Sequence, residues 1–223
     1  MASEPGNGTS ELSRDPPEFS WRGTQALRRV HALNERCLEL LAQFACSNRS
    51  PSHLAIINQH REVWRQLNAA ARRRAARTPF LLVDVRFQDA PWWRLAKDPR
   101  LSRRSKIVTR EAFTGKTAGE LMRETLMLAW STVAFERTGA SILFGMTPAV
   151  SSIIAELGPQ DVERIAARHS RYLQPRWEEY PAFWGRLLTA SIEGDEETLH
   201  EIQLHGVQLI GSELLPLLDG SFA

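Results

Sequence analysis

Cysteine is scarce in this sequence, and long apolar runs are missing from it. Only Cys37 and Cys46 occur among 223 residues. On one predicted helix and its end they lie roughly 13 Å apart, too far for a disulfide. No run of uncharged apolar residues is long enough to span a membrane. The first 20 residues have no apolar signal segment and are rich in Gly, Ser and Pro, so we expect a disordered leader and a cytoplasmic protein.

Signatures of catalysis and of metal binding are also missing. The sequence has no Gly-rich phosphate loop, no GxSxG elbow and no HExxH helix. His200 and His205 are five residues apart rather than the four of a helical metal-binding pair, and the other histidines show no ligand spacing. Asp84, which follows an apolar run, is a candidate active-site acid, but no partner for it can be identified. We therefore expect no enzyme, no catalytic residue, no cofactor and no metal.

Positive charge is concentrated in one part of the chain. The net charge of the whole is +2. Residues 61–110 carry 14 basic and 4 acidic residues, a net charge of +10, whereas residues 111–223 carry 8 basic and 16 acidic residues, a net charge of −8. This asymmetry indicates either a surface for a polyanion or internal pairing of the two regions.

Eleven basic residues are candidates for contact with DNA phosphates or grooves, and a solvated face is the alternative interpretation. They form two arginine clusters and one later helix face. The candidates are Arg72, Arg73, Arg74, Arg77, Arg100, Arg103, Arg104, Lys106, Arg164, Arg168 and Arg171.

Helical patterning dominates the sequence. Thr24–Phe44 repeats apolar residues at three- and four-residue spacing, and Ser50-Pro51 is a start signal for a second helix that ends in the first arginine cluster. Phe80–Phe87 alternates and is the one convincing strand; its partner is an undetected segment, Ile107-Val108 or another chain. No internal repeat at a fixed period is found. The expected fold class is mostly α, with one short β element near 80–87.

The stretch 119–176 organises the second half. A long helix, two short helices and an extended exit predict a compact trihelical unit of the helix-turn-helix kind. Thr147-Pro148 and Gly158-Pro159 are start signals for the two short helices, and Asp195 is a candidate N-cap for the last helix. The long helix is apolar on more than one face, which favours an intertwined dimer.

Interface residues are expected on that long helix and at two adjacent tryptophans. Trp92 and Trp93 follow the strand and are expected not to share one core, so one of them should cover an interface or line a groove. The predicted interface residues are Trp92, Trp93, Leu126, Trp130, Val133 and Phe135.

The segment from about Leu126 to Leu215 resembles the FlhD family of flagellar master transcriptional regulators. The resemblance lies in LAWSTVAFERTGASILFGMTPAVSSIIAELGPQDVERIA and in LHGVQLIGSELL near the C-terminus. It implies an all-helical, intertwined homodimer that binds promoter DNA with a zinc-containing, FlhC-like partner and recruits RNA polymerase. This chain has no four-cysteine zinc site, so it would be the FlhD-like component. Departures from the family are the missing cysteine after the third helix, at 169–173, and about 110 additional N-terminal residues.

These patterns divide the chain into three parts. We expect the leader over 1–20, a basic helical region with one strand over 21–110, and an FlhD-like dimerisation and regulatory domain over 111–223. The function that follows is a dimeric bacterial transcription activator that binds promoter DNA and no membrane. The alternative is a helical adaptor that regulates other proteins without touching DNA.

Overall fold

A computed structural model of the chain describes residues 19–47, 54–98, 100, 113 and 115–219, without the side chains of 19–22 and 216–219. The first half contains α1 (Phe19–Cys46), α2 (Ala55–Gln59), α3 (Arg61–Gln66), α4 (Ala69–Ala75), β1 (Val83–Asp84) and α5 (Ala90–Lys97). The second contains α6 (Gly115–Phe135), α7 (Arg137–Phe144), α8 (Pro148–Ala155), α9 (Pro159–His169), a 3-10 turn (Ser170–Tyr172), β2 (Gln174–Pro175), α10 (Pro181–Glu193) and α11 (Glu196–Asp219). The predicted fold class, mostly α with a short β element, is confirmed.

Local start signals are placed as the sequence predicts. The Thr147 side chain accepts a hydrogen bond from the Val150 amide at the start of α8, and Asp195 accepts one from the Thr198 amide at the start of α11. The predicted long helix is interrupted at Glu136, so α6 and α7 are separate, and Gly145 ends α7 in the left-handed conformation. The Ser50-Pro51 signal lies outside the described residues.

A buried asparagine on α1 fixes the chain that leads into β1. The Asn34 side-chain amide donates to the carbonyl oxygens of Ala76 and Phe80 and to the Thr78 hydroxyl, at 2.9–3.3 Å. Its Oδ1 accepts from the Leu82 amide at 2.7 Å. Because Asn34 is fully buried, these bonds replace those that the segment would otherwise make with water.

The strand is shorter than the predicted Phe80–Phe87 and has a partner that the sequence did not indicate. β1 pairs antiparallel with β2, with Val83 opposite Pro175 and Asp84 opposite Gln174. Pairing ends after Asp84 because its carboxylate accepts from the amides of Arg86 and Phe87 and turns the chain. Ile107-Val108 lies outside the described residues.

The two tryptophans contradict the expectation that they cannot share a core. Trp92 is 6% and Trp93 0% exposed. At the start of α5 their rings meet edge to face, with centroids 5.2 Å apart. Trp93 stacks on Phe87, whereas Trp92 packs against Tyr172. Adjacent residues of a helix point about 100° apart. Both can be buried here because the first half covers Trp93 and the second half covers Trp92.

Packing is exchanged between the two halves. Helix α5 of the first half packs against α8 and α9 of the second, and α10 of the second half packs against α2, α3 and α4 of the first. Helices α1 and α6 pack against each other. The hydrophobic core is therefore continuous across the predicted domain boundary at residue 110.

Several of the described elements repeat with a spacing of 91 residues, whereas α7 and α11 have no described counterpart. Adding 91 to the numbers of β1 gives those of β2, and the first residues of α5 and α10, Ala90 and Pro181, are related in the same way. So are Arg86 and Trp177, the two non-glycine residues with positive φ among those described. Six buried positions of α1 recur in α6: Val30 and Leu121, Asn34 and Thr125, Cys37 and Leu128, Leu38 and Ala129, Leu41 and Thr132, Ala42 and Val133. The expectation that there is no internal repeat is wrong, because the repeat lies in burial and geometry rather than in residue identity.

Candidate nucleic-acid interface

The first arginine cluster is presented by the short helix α4. Asn68 caps its first turn, since its Oδ1 accepts from the Ala71 amide at 3.0 Å. Cations near the last turn of α4 are favoured by the helix dipole. The roles of the four arginines nevertheless differ.

Two of these arginines hold the protein together. The Arg74 guanidinium donates to the carbonyl oxygens of Ser191 at 2.7 Å and Ile192 at 3.4 Å, which are acceptors at the C-terminal end of α10. Arg72 donates to the Leu67 carbonyl at 3.0 Å. Arg74 thus uses its Nε and Nη2 donors to cap a helix of the other half, and its contact with DNA stays a prediction.

The other two arginines face outward, beside cations of α1. Arg73 and Arg77 are exposed, and so are Arg28 and Arg29 on α1. Helices α1 and α4 pack together, and Arg77 lies close enough to His31 to act on its charge. We define the α1–α4 basic face as Arg28, Arg29, Arg73 and Arg77. Within the described parts of the chain, none of the four has an ion pair with a carboxylate.

His31 lies next to this face, and its surroundings disfavour the charged imidazolium. Burial lowers the pKa of the imidazole, the positive charge of Arg77 lowers it further, and a hydrogen bond with the Thr78 backbone opposes both. The positive field of the face therefore comes chiefly from arginines.

The arginines of α9 are more constrained. Arg164 donates to the carbonyl oxygens of Ala96 at 3.1 Å and Lys97 at 2.8 Å, which end α5, and pairs with Asp161 at 2.8 Å. Arg171 lies over the Tyr172 ring, 5.0 Å from its centroid, whereas Arg168 is exposed. Arg164 was predicted to enter a groove, but it caps a helix. Arg100 is exposed, and Arg103, Arg104 and Lys106 lie outside the described residues.

The predicted interface residues are mostly covered by the chain itself. Leu126 and Val133 are each 2% exposed. Trp130 is half-buried, and its indole N–H donates to the Leu157 carbonyl at 2.8 Å. Phe135, at 59% exposed, is the member of the set that faces solvent. The apolar breadth of α6 thus reflects contact with α1, α8 and α9 of the same chain.

A buried arginine follows β2, next to the two-stranded ribbon formed by β1 and β2, and the sequence did not indicate its role. Arg176 is 4% exposed, its Nη2 donates to the Phe144 carbonyl, and its Nη1 lies 4.0 Å from Glu213. Burial lowers the pKa of its guanidinium, and the carboxylates of Asp84 and Glu213 oppose that shift. Asp84 therefore has charged neighbours and hydrogen bonds that explain it structurally. No sequence signal distinguishes Arg176 from a surface arginine.

Comparisons with family models, with curated proteins and with solved structures give no match for this chain. Among the described residues no group of three His, Cys, Asp or Glu side chains is placed to hold a metal ion. No single described helix is both long and apolar enough to cross a membrane; α7 and α8 meet the criteria as a pair, with a 116° bend between them.

Proposed function

We propose that this protein is a transcriptional regulator of the FlhD type that binds promoter DNA through the α1–α4 basic face. The observation that carries the proposal is a set of four exposed arginines with no carboxylate partner among the described residues. Elsewhere on the described surface some basic residues are paired, as in Arg186 with Glu201 and Lys97 with Glu156. Others, such as Arg94 and Arg168, are exposed without an ion pair among the described residues, but they do not lie together on two packed helices as these four arginines do. A group of like charges without partners is expected where a polyanion supplies the neutralising charge.

Phosphate contacts explain why arginine suits this face. A guanidinium binds phosphate oxygens through two parallel hydrogen bonds and stays charged at any physiological pH. Each contact releases condensed counterions from the duplex, so affinity falls with salt. Four contacts predict a slope of log K against log salt of about −3.6.

The test is equilibrium binding of fluorescent duplex DNA by anisotropy, from 50 to 200 mM salt. We expect the pair of changes Arg73→Ala and Arg77→Ala to weaken binding and to reduce the salt slope by about two, because two phosphate contacts are lost. The matched control is Arg186→Ala, which removes an exposed arginine whose charge is already paired with Glu201. An unchanged salt slope in the double variant would contradict the proposal.

The adaptor alternative is supported by one observation on α11. Leu204, Val207 and Leu215 are 53%, 38% and 61% exposed, although the opposite face of the helix, with Ile202 and Ile210, is buried. An adaptor would keep its activity when the basic face is neutralised and lose it when these apolar residues become polar. Trp92 and Trp93, one of which was expected to cover an interface or line a groove, are both buried. The FlhC-like partner and RNA polymerase stay predictions of the resemblance. So does the homodimer, for which the contacts between the two halves of this chain offer a single-chain alternative.

A further inference from the structure

The two halves contact each other in the reciprocal way that a two-fold dimer does. In such a dimer residue i of one subunit contacts residue j of the other, and j contacts i. The ribbon follows this rule: Val83 lies opposite Pro175, the counterpart of Asp84, and Asp84 lies opposite Gln174, the counterpart of Val83. An antiparallel pair with this register is what a two-fold axis through the ribbon produces.

Aromatic packing around the ribbon is also exchanged between the halves, although its two central residues, Phe80 and Tyr172, lie 92 positions apart and are not counterparts. Phe80 of the first half contacts Trp177, at 5.4 Å between ring centroids, and Phe183. Tyr172 of the second half contacts Trp92 and lies under the Arg86 guanidinium, 5.0 Å from the ring centroid. Arg86 and Trp177 are counterparts, and Trp92 and Phe183 are counterparts, both at a spacing of 91.

Helix capping is exchanged between the halves as well, although the two arginines are not counterparts, since Arg74 corresponds to Ile165 and Arg164 to Arg73. Arg74 of α4 caps α10, and Arg164 of α9 caps α5. Each half therefore supplies an arginine that caps a helix of the other half. Within one chain, these contacts reproduce the intertwining that would otherwise require a second copy.

The two equivalent outer surfaces have opposite electrostatic character. Several cations of α1 and α4 have no cation at the corresponding position of the second half; among them, Arg28, Arg29, Arg72 and Arg74 correspond to Gly119, Glu120, Glu163 and Ile165. In the other direction, Lys116 and Arg123 of α6 correspond to Gln25 and Ala32. Of the two cations retained in the second half, Arg164 is occupied by the end of α5 and by Asp161, and Arg168 is exposed.

Carboxylates also belong to the second surface. Glu120 pairs with Arg36 at 2.7 Å, and Glu163 lies 3.7 Å from Arg123. The second surface thus carries carboxylates beside its cations, whereas none of the four arginines of the α1–α4 basic face has an ion pair among the described residues. Phosphates would be attracted to one surface only.

We propose that the chain is a single-chain pseudo-dimer with one DNA-binding face, so that one chain binds one unsymmetrical DNA site. This inference rests on the proposed function, because it assigns that function to one of two equivalent surfaces. A true two-fold dimer would present two such faces and would favour an inverted repeat. Here the second half serves to complete the fold of the first.

Counterpart residues give a matched test. Arg77 and Arg168 lie 91 residues apart, at the ends of α4 and α9, and both are exposed. We expect Arg77→Glu to weaken duplex binding at least about tenfold and Arg168→Glu to change it less than about twofold. Thermal unfolding of both variants checks that each is folded.

Three outcomes separate the hypotheses. If the wild-type chain binds duplex DNA and Arg168→Glu weakens binding as much as Arg77→Glu does, the one-face inference is wrong while the proposed function stands. If the wild-type chain binds no duplex, the proposed function fails; the salt at which the two variants elute from heparin then decides the one-face assignment, which predicts earlier elution of Arg77→Glu alone. Light scattering should give the single-chain mass of 25.3 kDa, and twice that mass would overturn the single-chain pseudo-dimer.

Discussion

Replacing Gly145 tests whether the buried Arg176 is held as the structure shows. Gly145 ends α7 with φ +60, and a Cβ there would lie 3.0 Å from Arg176 Cζ and closer still to Nη1. In Gly145→Ala the guanidinium must move away from the Phe144 carbonyl, its hydrogen-bond acceptor. The backbone conformation adds about 1–2 kcal/mol of strain for a residue with a Cβ, and loss of a hydrogen bond to a buried charge costs about 1.5–3 kcal/mol. We expect a total loss of about 2.5–5 kcal/mol.

Gly194 provides the control for the backbone contribution. It ends α10 with φ +77, its amide donates to the Ala190 carbonyl as that of Gly145 does to Ser141, and a Cβ there would meet nothing within 4 Å. Gly194→Ala should therefore show the strain alone, about 1–2 kcal/mol. Urea unfolding followed by circular dichroism measures both free energies.

A third variant, Arg176→Met, tests whether the additional cost of Gly145→Ala comes from the guanidinium. In an Arg176→Met background there is no charged group to displace, so Gly145→Ala should cost little more than Gly194→Ala does. Equal losses for Gly145→Ala and Gly194→Ala in the wild-type background would refute the close packing of Arg176 against Gly145.

Two further predictions concern other buried polar groups. Asn34→Ala leaves the Leu82 amide without its acceptor and the Ala76 carbonyl without this donor, whereas Phe80 and Thr78 keep the hydrogen bond between them. The free energy of unfolding should fall by about 3–4 kcal/mol, against less than about 0.5 kcal/mol for exposed Glu39→Ala on the same helix; urea unfolding that shows equal effects would contradict this. Burial and the charges of Arg171 and two neighbouring arginines lower the pKa of His169 to about 4, so the unfolded chain binds a proton below its ordinary pKa of 6.5 that the folded chain refuses. Stability should therefore fall by roughly 1–3 kcal/mol as pH drops from 6.5 to 4, and most of this dependence should vanish in His169→Gln but persist in His200→Gln.

Features that depend on neighbouring residues alone were predictable from the sequence. Thr147-Pro148 and Asp195 mark helix starts because an N-cap bonds to an amide two or three residues further on. The apolar face of α1 and the mostly α fold follow from periodicity in the same way.

Features that depend on the exchange of helices were not predictable. The partner of β1 lies 91 residues away, and the cover over Trp92 comes from Tyr172, so neither has a local signal. No local sequence pattern distinguishes an arginine that caps a distant helix, such as Arg74, from one that faces solvent, such as Arg73. The prediction of a basic region therefore located the candidate face, but it could not separate the arginines that face solvent from those that cap helices.

The exchange of helices also determines the order in which the chain can bury its apolar surface during synthesis. Trp64 of α3 packs against Trp184 of α10, with ring centroids 5.9 Å apart. These residues are separated by 120 positions, so at about 5–20 residues per second the ribosome delivers the second roughly 6–24 s after the first. Until α10 has been synthesised, the apolar surfaces of α3 and α4 that pack against it are exposed to water. A nascent chain arrested before residue 181 should therefore be a chaperone substrate, and release of the complete chain should end that dependence.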